Sequence, residues 1–431
     1  MGTTSLEGGD PVLLRFRAAN VYSFRDEFEL DLRPRKRGEN DAQPGPVRIA
    51  AIYGANASGK SNVLKAVSWM QEAVLESGTH WAPTGGVPRP MFKLDLAARE
   101  EASLFEAEFL LGEARYVYGF EVSDERVETE WLFEYVTGRR RTLFVRDADA
   151  ENEYEFKGRQ LKGEVEQIAR LTRPNALFLS MGAQLNNPQL ARIFAWFERS
   201  LAQEGYVELP GFGRFFPLLP GHWFTDVEPL LAMADLGVVG GESVEREQDA
   251  NEANLPGTKH FITREFRLQH RGAQGPVALS PGEESDGTRA WYSIAKAVLD
   301  ALRAGSVMLH DELDASLHPA LVAEVLRVFR DPKANPRGAQ LICTLHDVSL
   351  LGSAHADAPL DRHEVWITEK DPMGQSELYP LTDARPATQE NLERGYLRGR
   401  YGGVPRVGAG WLARDVARLL EGAEPEPDAQ R

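Results

Sequence analysis

The sequence predicts an α/β fold in which a mainly parallel sheet carries a phosphate-binding loop and is interrupted by an antiparallel β lobe and a helical insertion. Three observations lead there. The apolar strand VRIAAIY runs straight into the Gly-rich turn GANASGKS and then into a helix. From Ser103 to Phe156 the segments LFEAEFLL, RYVYGFEV, EWLFEYV and TLFVRD alternate apolar with polar residues, the period of successive antiparallel strands. From Pro276 onward, short apolar strands alternate with helical patterns, as in a parallel sheet crossed by helices.

Taken in order, Leu14, Phe16 and Ala18, then Phe28, Leu30 and Leu32, mark two strands flanking NVYSFRDEF. The polar, Pro- and Gly-containing stretch from Arg33 to Pro46 reads as a loop. Val47–Tyr53 is the strand before the Gly-rich turn. The helix after it spans Lys60–Glu76, with Val63, Leu64, Val67 and Met70 as its apolar stripe. Beyond the antiparallel segments, helices are expected over Val165–Leu171, Leu190–Leu201 and Val227–Leu236, with LPGFGRFFPLLPG between the last two. A polar loop then leads to HFITREFRLQH, a strand. This divides the chain into an N-terminal half over 12–100, a β lobe with helical insertion over 101–270, a C-terminal half over 271–415, and an acidic tail over 416–431 expected to be disordered. No internal repeat and no long heptad run is visible.

Bulk properties narrow the function classes. With 431 residues, 42% of them hydrophobic, the chain can bury a core without disulfides, and Cys343 is its only cysteine. That usage suits a reducing cytoplasm. There is no apolar run long enough for a membrane helix, and MGTTSLEGGD has no signal-peptide core and reads as a short disordered leader. The net charge of −16 opposes global attraction to nucleic acid, so such contact would need local patches. Candidates are Arg33, Arg35, Lys36 and Arg37, then Arg139, Arg140 and Arg141, then the arginines between Arg394 and Arg406. A solvated surface is the plainer reading of each.

Four motifs carry chemistry. In GANASGKS, Gly54 and Gly59 let the backbone curl so that successive N–H groups, with Ser58 in the same turn, face phosphate oxygens at a helix N-terminus. Lys60 supplies charge to the β- and γ-phosphates of ATP, and the Ser61 hydroxyl is placed to ligate Mg²⁺. In GSVMLHDELDASLHP a short strand ends at two adjacent carboxylates, which can divide the work of hydrolysis: Asp311 for the metal, Glu312 for the attacking water. A metal cluster of His310, Asp311, Asp314 and His318 is the competing reading of that segment. SPGEESDGTRAW is a Ser/Gly-rich loop opening a helix, either an anion-binding turn or a plain helix cap. In LICTLHDVSLL an apolar strand ends at His346.

The order of these motifs resembles the head of ABC-type ATPases, and the opening FRAANVYSFRDEFELDL resembles the RecF and SMC-like branch, in whose phosphate loop Asn56 and Asn62 also recur, which implies that both face the nucleotide. More narrowly, NALFLSMGAQLNN, LSPGEESDGTRAW, DELDASLHP, TLHDVSLL, EKDPMGQSELYPLTD and NLERGYLRGRYGGVP resemble the RloA-like ATPases of bacterial defence islands, over residues 12 to about 408. The resemblance implies that Ser285 and Gly287 touch the γ-phosphate held by another subunit, and that His346 senses that phosphate. It also implies that Asp314 lies in a loop linking two sites across a head-to-head dimer. It further implies a separate effector partner, nuclease-like, of TOPRIM or RloB type, and an ATP-driven switch in anti-phage defence. A DNA-repair ATPase and an ATP-binding scaffold with little turnover are the rival expectations.

Overall fold

The computed structural model describes residues 12–33, 45–203, 207–209, 213–215, 224–234, 237–249, 260–280, 282–352, 359–387, 390–405 and 410–420. The expected leader, most of the loop after Arg33 and most of LPGFGRFFPLLPG lie outside these residues, as do Arg35, Lys36, Arg37 and Arg406. Of the tail expected to be disordered over 416–431, residues 416–420 are instead helical, ending an amphipathic helix that runs from Trp411 to Leu420, and 421–431 lie outside.

The strands are β1 (Val12–Ala19), β2 (Phe28–Asp31), β3 (Ile49–Gly54), β4 (Ser103–Leu111), β5 (Ala114–Val122), β6 (Val127–Val136), β7 (Arg139–Asp147), β8 (Tyr154–Glu155) and β9 (Leu201–Gln203). They continue with β10 (Val207–Leu209), β11 (Gly213–Phe215), β12 (Val238–Asp249), β13 (His260–Gly272), β14 (Gly275–Leu279), β15 (Val307–His310), β16 (Gln340–Thr344), β17 (Val365–Lys370) and β18 (Ser376–Pro380). The helices are α1 (Lys60–Glu76), α2 (Leu96–Glu100), α3 (Val165–Leu171), α4 (Phe178–Gln184), α5 (Pro188–Ser200), α6 (Phe224–Met233), α7 (Asp286–Ala304), α8 (Pro319–Arg330), α9 (Leu392–Leu397) and α10 (Trp411–Leu420).

Two large sheets organise them. One is antiparallel, ordered β2-β1-β4-β5-β6-β7-β8. The other is ordered β18-β17-β3-β16-β15-β9 and is parallel except for its edge strand β18. β3 runs through the middle of this second sheet with all six residues buried. Its alternate side chains enter opposite cores, as expected of a strand covered on both faces. Ala50 and Ile52 join the core containing α1 and the antiparallel sheet, where Trp69 lies 4.4 Å from Phe105 and Phe109 lies 4.0 Å from Trp196, ring centre to ring centre. Ile49, Ala51 and Tyr53 join the core built by α7 and α8. Each large apolar side chain so buried contributes about 1.5–3 kcal/mol relative to exposure.

Several elements differ from the sequence expectation. β1 and β2 are continuous with the antiparallel lobe, because β1 pairs along β4; local alternation cannot reveal a pairing across so long a loop. Leu201 ends no helix but opens β9, which returns from the helical insertion to the edge of the parallel sheet beside β15. Within the segment expected to be a polar loop before HFITREFRLQH, Val238–Asp249 is the strand β12, paired antiparallel with β13 from Val238↔His270 to Asp249↔His260, and residues 250–259 lie outside the described residues. Its glycines and acids weaken the local strand signal, and the partner strand overrides it.

Candidate phosphate-binding and carboxylate site

Because β3, β16 and β15 are parallel neighbours, their C-terminal ends open at one sheet edge. That edge collects the Gly54–Ser61 turn, the Asp311–Glu312 turn and the Thr344–Asp347 turn, the place where open α/β sheets bind ligands.

The first turn needs glycine at position 59. Its φ is +111°, and a Cβ there would stand 2.5 Å from Ser376 Oγ and 2.9 Å from Ser23 Oγ. Ser58 Oγ pairs with Thr368 Oγ1 at 2.6 Å, fixing the loop to the end of β17. Lys60 is buried, and its Nζ donates to the carbonyls of Gly54 and Ala55 at 2.9 and 3.2 Å. Burial lowers its pKa, against the pull of Asp311, Glu312 and Asp314. Asn56 is exposed on the loop. Asn62 donates to Ser23 Oγ at 2.8 Å, so its amide braces α1 against the turn between β1 and β2.

The carboxylates are oriented from two strands. Ser61 Oγ donates to Asp311 Oδ1 at 3.0 Å, and Thr344 Oγ1 donates to the same oxygen at 2.6 Å. The Glu312 amide donates to Thr344 Oγ1 at 2.6 Å. Glu312 has φ +54°, a left-handed conformation uncommon for its type. Its Oε1 lies 3.6 Å from His346 Nε2, and both side chains are about half exposed. Asp314 Oδ2 accepts from the amides of His346 and Asp347 at 2.7 and 2.5 Å. Asp314 therefore caps the histidine turn. His318 Nδ1 accepts from Ala320 at the start of α8, and His310 is buried in β15. The four residues of the competing metal reading are thus engaged separately. Among the described residues no group of three His, Cys, Asp or Glu is placed to hold a metal. Ser61 and Asp311 instead form an oxygen-donor pair beside the phosphate loop, which suits Mg²⁺, a hard cation that takes few protein ligands.

The Ser285 turn stands apart from this cluster in its hydrogen bonding. Ser285 caps α7, accepting from Thr288 N at 3.1 Å, and is exposed. Glu284 beside it is buried and bonded to His270 of β13 at 2.8 Å. A Cβ on Gly287 would lie 3.1 Å from Ser316 O, so this turn abuts the loop after the carboxylates. Among the described residues no hydrogen bond joins Ser285 to the phosphate loop of the same chain.

Sequence reasoning gave no role to Thr344, Thr368 or Ser23, while packing of Tyr396 and Tyr401 on the head is the plainer reading of NLERGYLRGRYGGVP and is what the structure has. Tyr396 packs edge-on against Tyr53 with ring centres 5.9 Å apart, and its hydroxyl donates to Gly403 O at 2.8 Å. For Thr344 the available signal was a hydroxyl residue at an otherwise apolar strand end.

A parallel sheet with a phosphate loop after its central strand β3, a histidine turn after the neighbouring β16 and acids after β15 beyond it, layered against an antiparallel sheet, is the fold of an ABC-type P-loop ATPase head. The chain belongs to the family described as "AAA domain, putative AbiEii toxin, Type IV TA system", whose profile matches residues 49–352. Among solved structures, an SMC head bound to the C-terminal winged-helix domain of ScpA aligns with a TM-score of 0.40 at 15% identity, covering 86% of this chain and 99% of that one. The SMC head of Thermotoga maritima aligns at 0.37 and 15%, covering 85% and 98%. An ATP complex of the recombination mediator RecF aligns at 0.35 and 10%, covering 88% and 100%. No curated protein matches the chain. No helix of the described residues is long and apolar enough to cross a membrane.

Proposed function

We propose that the chain binds ATP with Mg²⁺ and hydrolyses it in a site completed by a second copy. The observation that carries this is the 3.0 Å contact between Ser61 Oγ and Asp311 Oδ1, which joins the phosphate loop to a carboxylate 250 residues away in sequence. Gly54, Asn56, Ser58, Gly59 and Lys60 cradle the phosphates in this reading, and Ser61 and Asp311 hold Mg²⁺. The metal, when bound, withdraws charge from the phosphate oxygens. Glu312 orients the water, and His346, 3.6 Å away, steadies that carboxylate and the γ-phosphate side of the site. Ser285, exposed and bonded within its own turn, and Gly287 two residues on act on the partner's nucleotide. The test is a pair of variants. Lys60→Ala is expected to lose tight ATP binding, and Glu312→Gln to bind ATP but lose turnover. Wild-type turnover by Glu312→Gln would overturn the assignment.

We further propose that the ATP cycle serves as a switch for a separate, nuclease-like effector in anti-phage defence, in the manner of RloA-like ATPases. The motif resemblance supports this, as does a family description that names a toxin–antitoxin system. Phage protection is then expected to need both Glu312 and the effector encoded nearby. Protection by this chain alone would refute the division of labour.

A further inference from the structure

We infer that Thr344 is the positioning residue of the hydrolytic centre: one buried hydroxyl sets the orientation of the metal-side carboxylate and the backbone of the water-side one. This deepens the ATPase reading and rests on it. Thr344 is fully buried at the end of β16, where its neighbours Ile342, Cys343 and Leu345 are apolar and equally buried. A hydroxyl in such a place is costly unless both its donor and acceptor functions are used. Here both are spent on the adjacent carboxylate turn. Oγ1 donates to Asp311 Oδ1 at 2.6 Å and accepts the Glu312 amide at 2.6 Å, while the Thr344 carbonyl accepts the Leu313 amide at 3.1 Å. Three consecutive residues are thereby tied to one.

The consequences differ along the turn. Asp311 Oδ1 receives two hydroxyls, from Ser61 on the phosphate-loop side and from Thr344 on the sheet side, and these two donors fix the plane of the carboxylate. At Glu312 the bond anchors a backbone held at φ +54°, and that backbone aims the side chain toward His346. In the opposite direction, Asp314 holds the His346 and Asp347 amides. The acid turn and the histidine turn are interlocked, with Thr344 as the link that reaches the reacting groups. Valine would fill the same space with neither bond.

The experiment compares Thr344→Val, Thr344→Ser and Thr344→Ala in the full chain, reading Kd for a fluorescent ATP analogue, steady-state kcat, the Mg²⁺ concentration for half-maximal rate, and thermal melting. Thr344→Val is expected to bind nucleotide within about 3-fold of wild type, to lose on the order of 10- to 100-fold in kcat, and to need more Mg²⁺, while Thr344→Ser recovers most of the rate. If Thr344→Val does not fold, Ser and Ala differ by a single oxygen, and Ser is expected to exceed Ala by on the order of 10-fold in kcat. Equal rates in Val and wild type, or in Ser and Ala, would overturn the inference. A wild-type chain without ATP turnover would sink the ATPase reading itself, and this inference with it.

Discussion

Gly403 lies directly against Gly54, the first glycine of the phosphate loop: a Cβ on Gly403 would sit 3.3 Å from Gly54 Cα. Around this contact the C-terminal segment forms a clasp. The Gly403 amide donates to Glu369 Oε1 at 2.9 Å, its carbonyl accepts the Tyr396 hydroxyl, and Tyr396 packs on Tyr53, the residue that leads into the loop. Tyr53 also donates to the carbonyl of Asp347 at 3.1 Å, so the clasp reaches the histidine turn as well.

Gly403→Ala should loosen the clasp. The position has φ +69°, and the added methyl would stand 2.8 Å from Ile367 Cγ2. Strain of this kind costs about 1–3 kcal/mol. Chemical denaturation should show that loss, and calorimetric titration should show weaker ATP binding. A variant that loses stability but binds ATP as tightly as wild type would reduce the clasp to a packing element.

The outward side of the same segment gives a second prediction. Tyr396 and Tyr401 are buried, whereas Arg398 and Arg400 are exposed, Arg400 pairing with Glu390 at 2.5 Å. The tyrosines therefore belong to the core of the head, and a partner could meet only the arginine side. An exposed ion pair is worth about 0–1 kcal/mol. Arg398→Glu with Arg400→Glu should leave melting and ATPase activity near wild type while abolishing phage resistance. Resistance that survives the double reversal would make the segment purely structural.

These residues also show what the sequence could reveal. The α/β class and the phosphate loop were legible because their signals are contiguous: an apolar strand, glycines at fixed spacing, and an amphipathic helix. The joining of β1 to β4 and of β9 to β15 was not legible, since pairing partners far apart in sequence leave no local trace. Asn62 carries a contact that its motif does not reveal, the bond from its amide to Ser23. Thr344 shows the converse: it lies within TLHDVSLL, where the motif singles out only His346, yet its hydroxyl orders the two carboxylate residues.

A third prediction concerns a buried acid that holds the helical insertion. Glu130 is fully buried and accepts the amides of Phe178 and Leu179 at 2.7 and 3.0 Å and the Tyr118 hydroxyl at 3.0 Å. Burial raises its pKa above the ordinary 4.5, against the nearby Arg146 charge and these hydrogen bonds. Glu130→Ala would strand three donors and should destabilise by about 3–5 kcal/mol. The pH dependence follows from the direction of the shift. A carboxyl with a raised folded-state pKa gives its full contribution below its unfolded pKa and loses it as pH rises through the folded one. The stability difference between wild type and Glu130→Gln should therefore shift against wild type from about pH 4.5 upward. A difference that grows in favour of wild type over that range would mean Glu130 is held as a stabilised anion.

The last prediction tests whether the site is shared. Ser285 faces outward at the start of α7, and its hydrogen bonds stay within its own turn. If ATP on one head is completed by this turn of another, Ser285→Arg should leave ATP binding by the single chain intact while suppressing hydrolysis and ATP-dependent pairing. Lys60→Ala should fail for the opposite reason, through loss of the phosphate-facing charge. In a mixture, a dimer of one Lys60→Ala chain and one Ser285→Arg chain places the intact phosphate loop of the second opposite the intact turn of the first. One of its two composite sites is then usable, whereas each variant alone has none. Since neither variant pairs with itself on ATP, the active dimers in the mixture are hetero-pairs with one working site in two, so turnover should recover to at most about half of wild type if the sites act independently. Mixtures as inactive as the separate variants, with pairing verified by light scattering, would refute a site completed in trans.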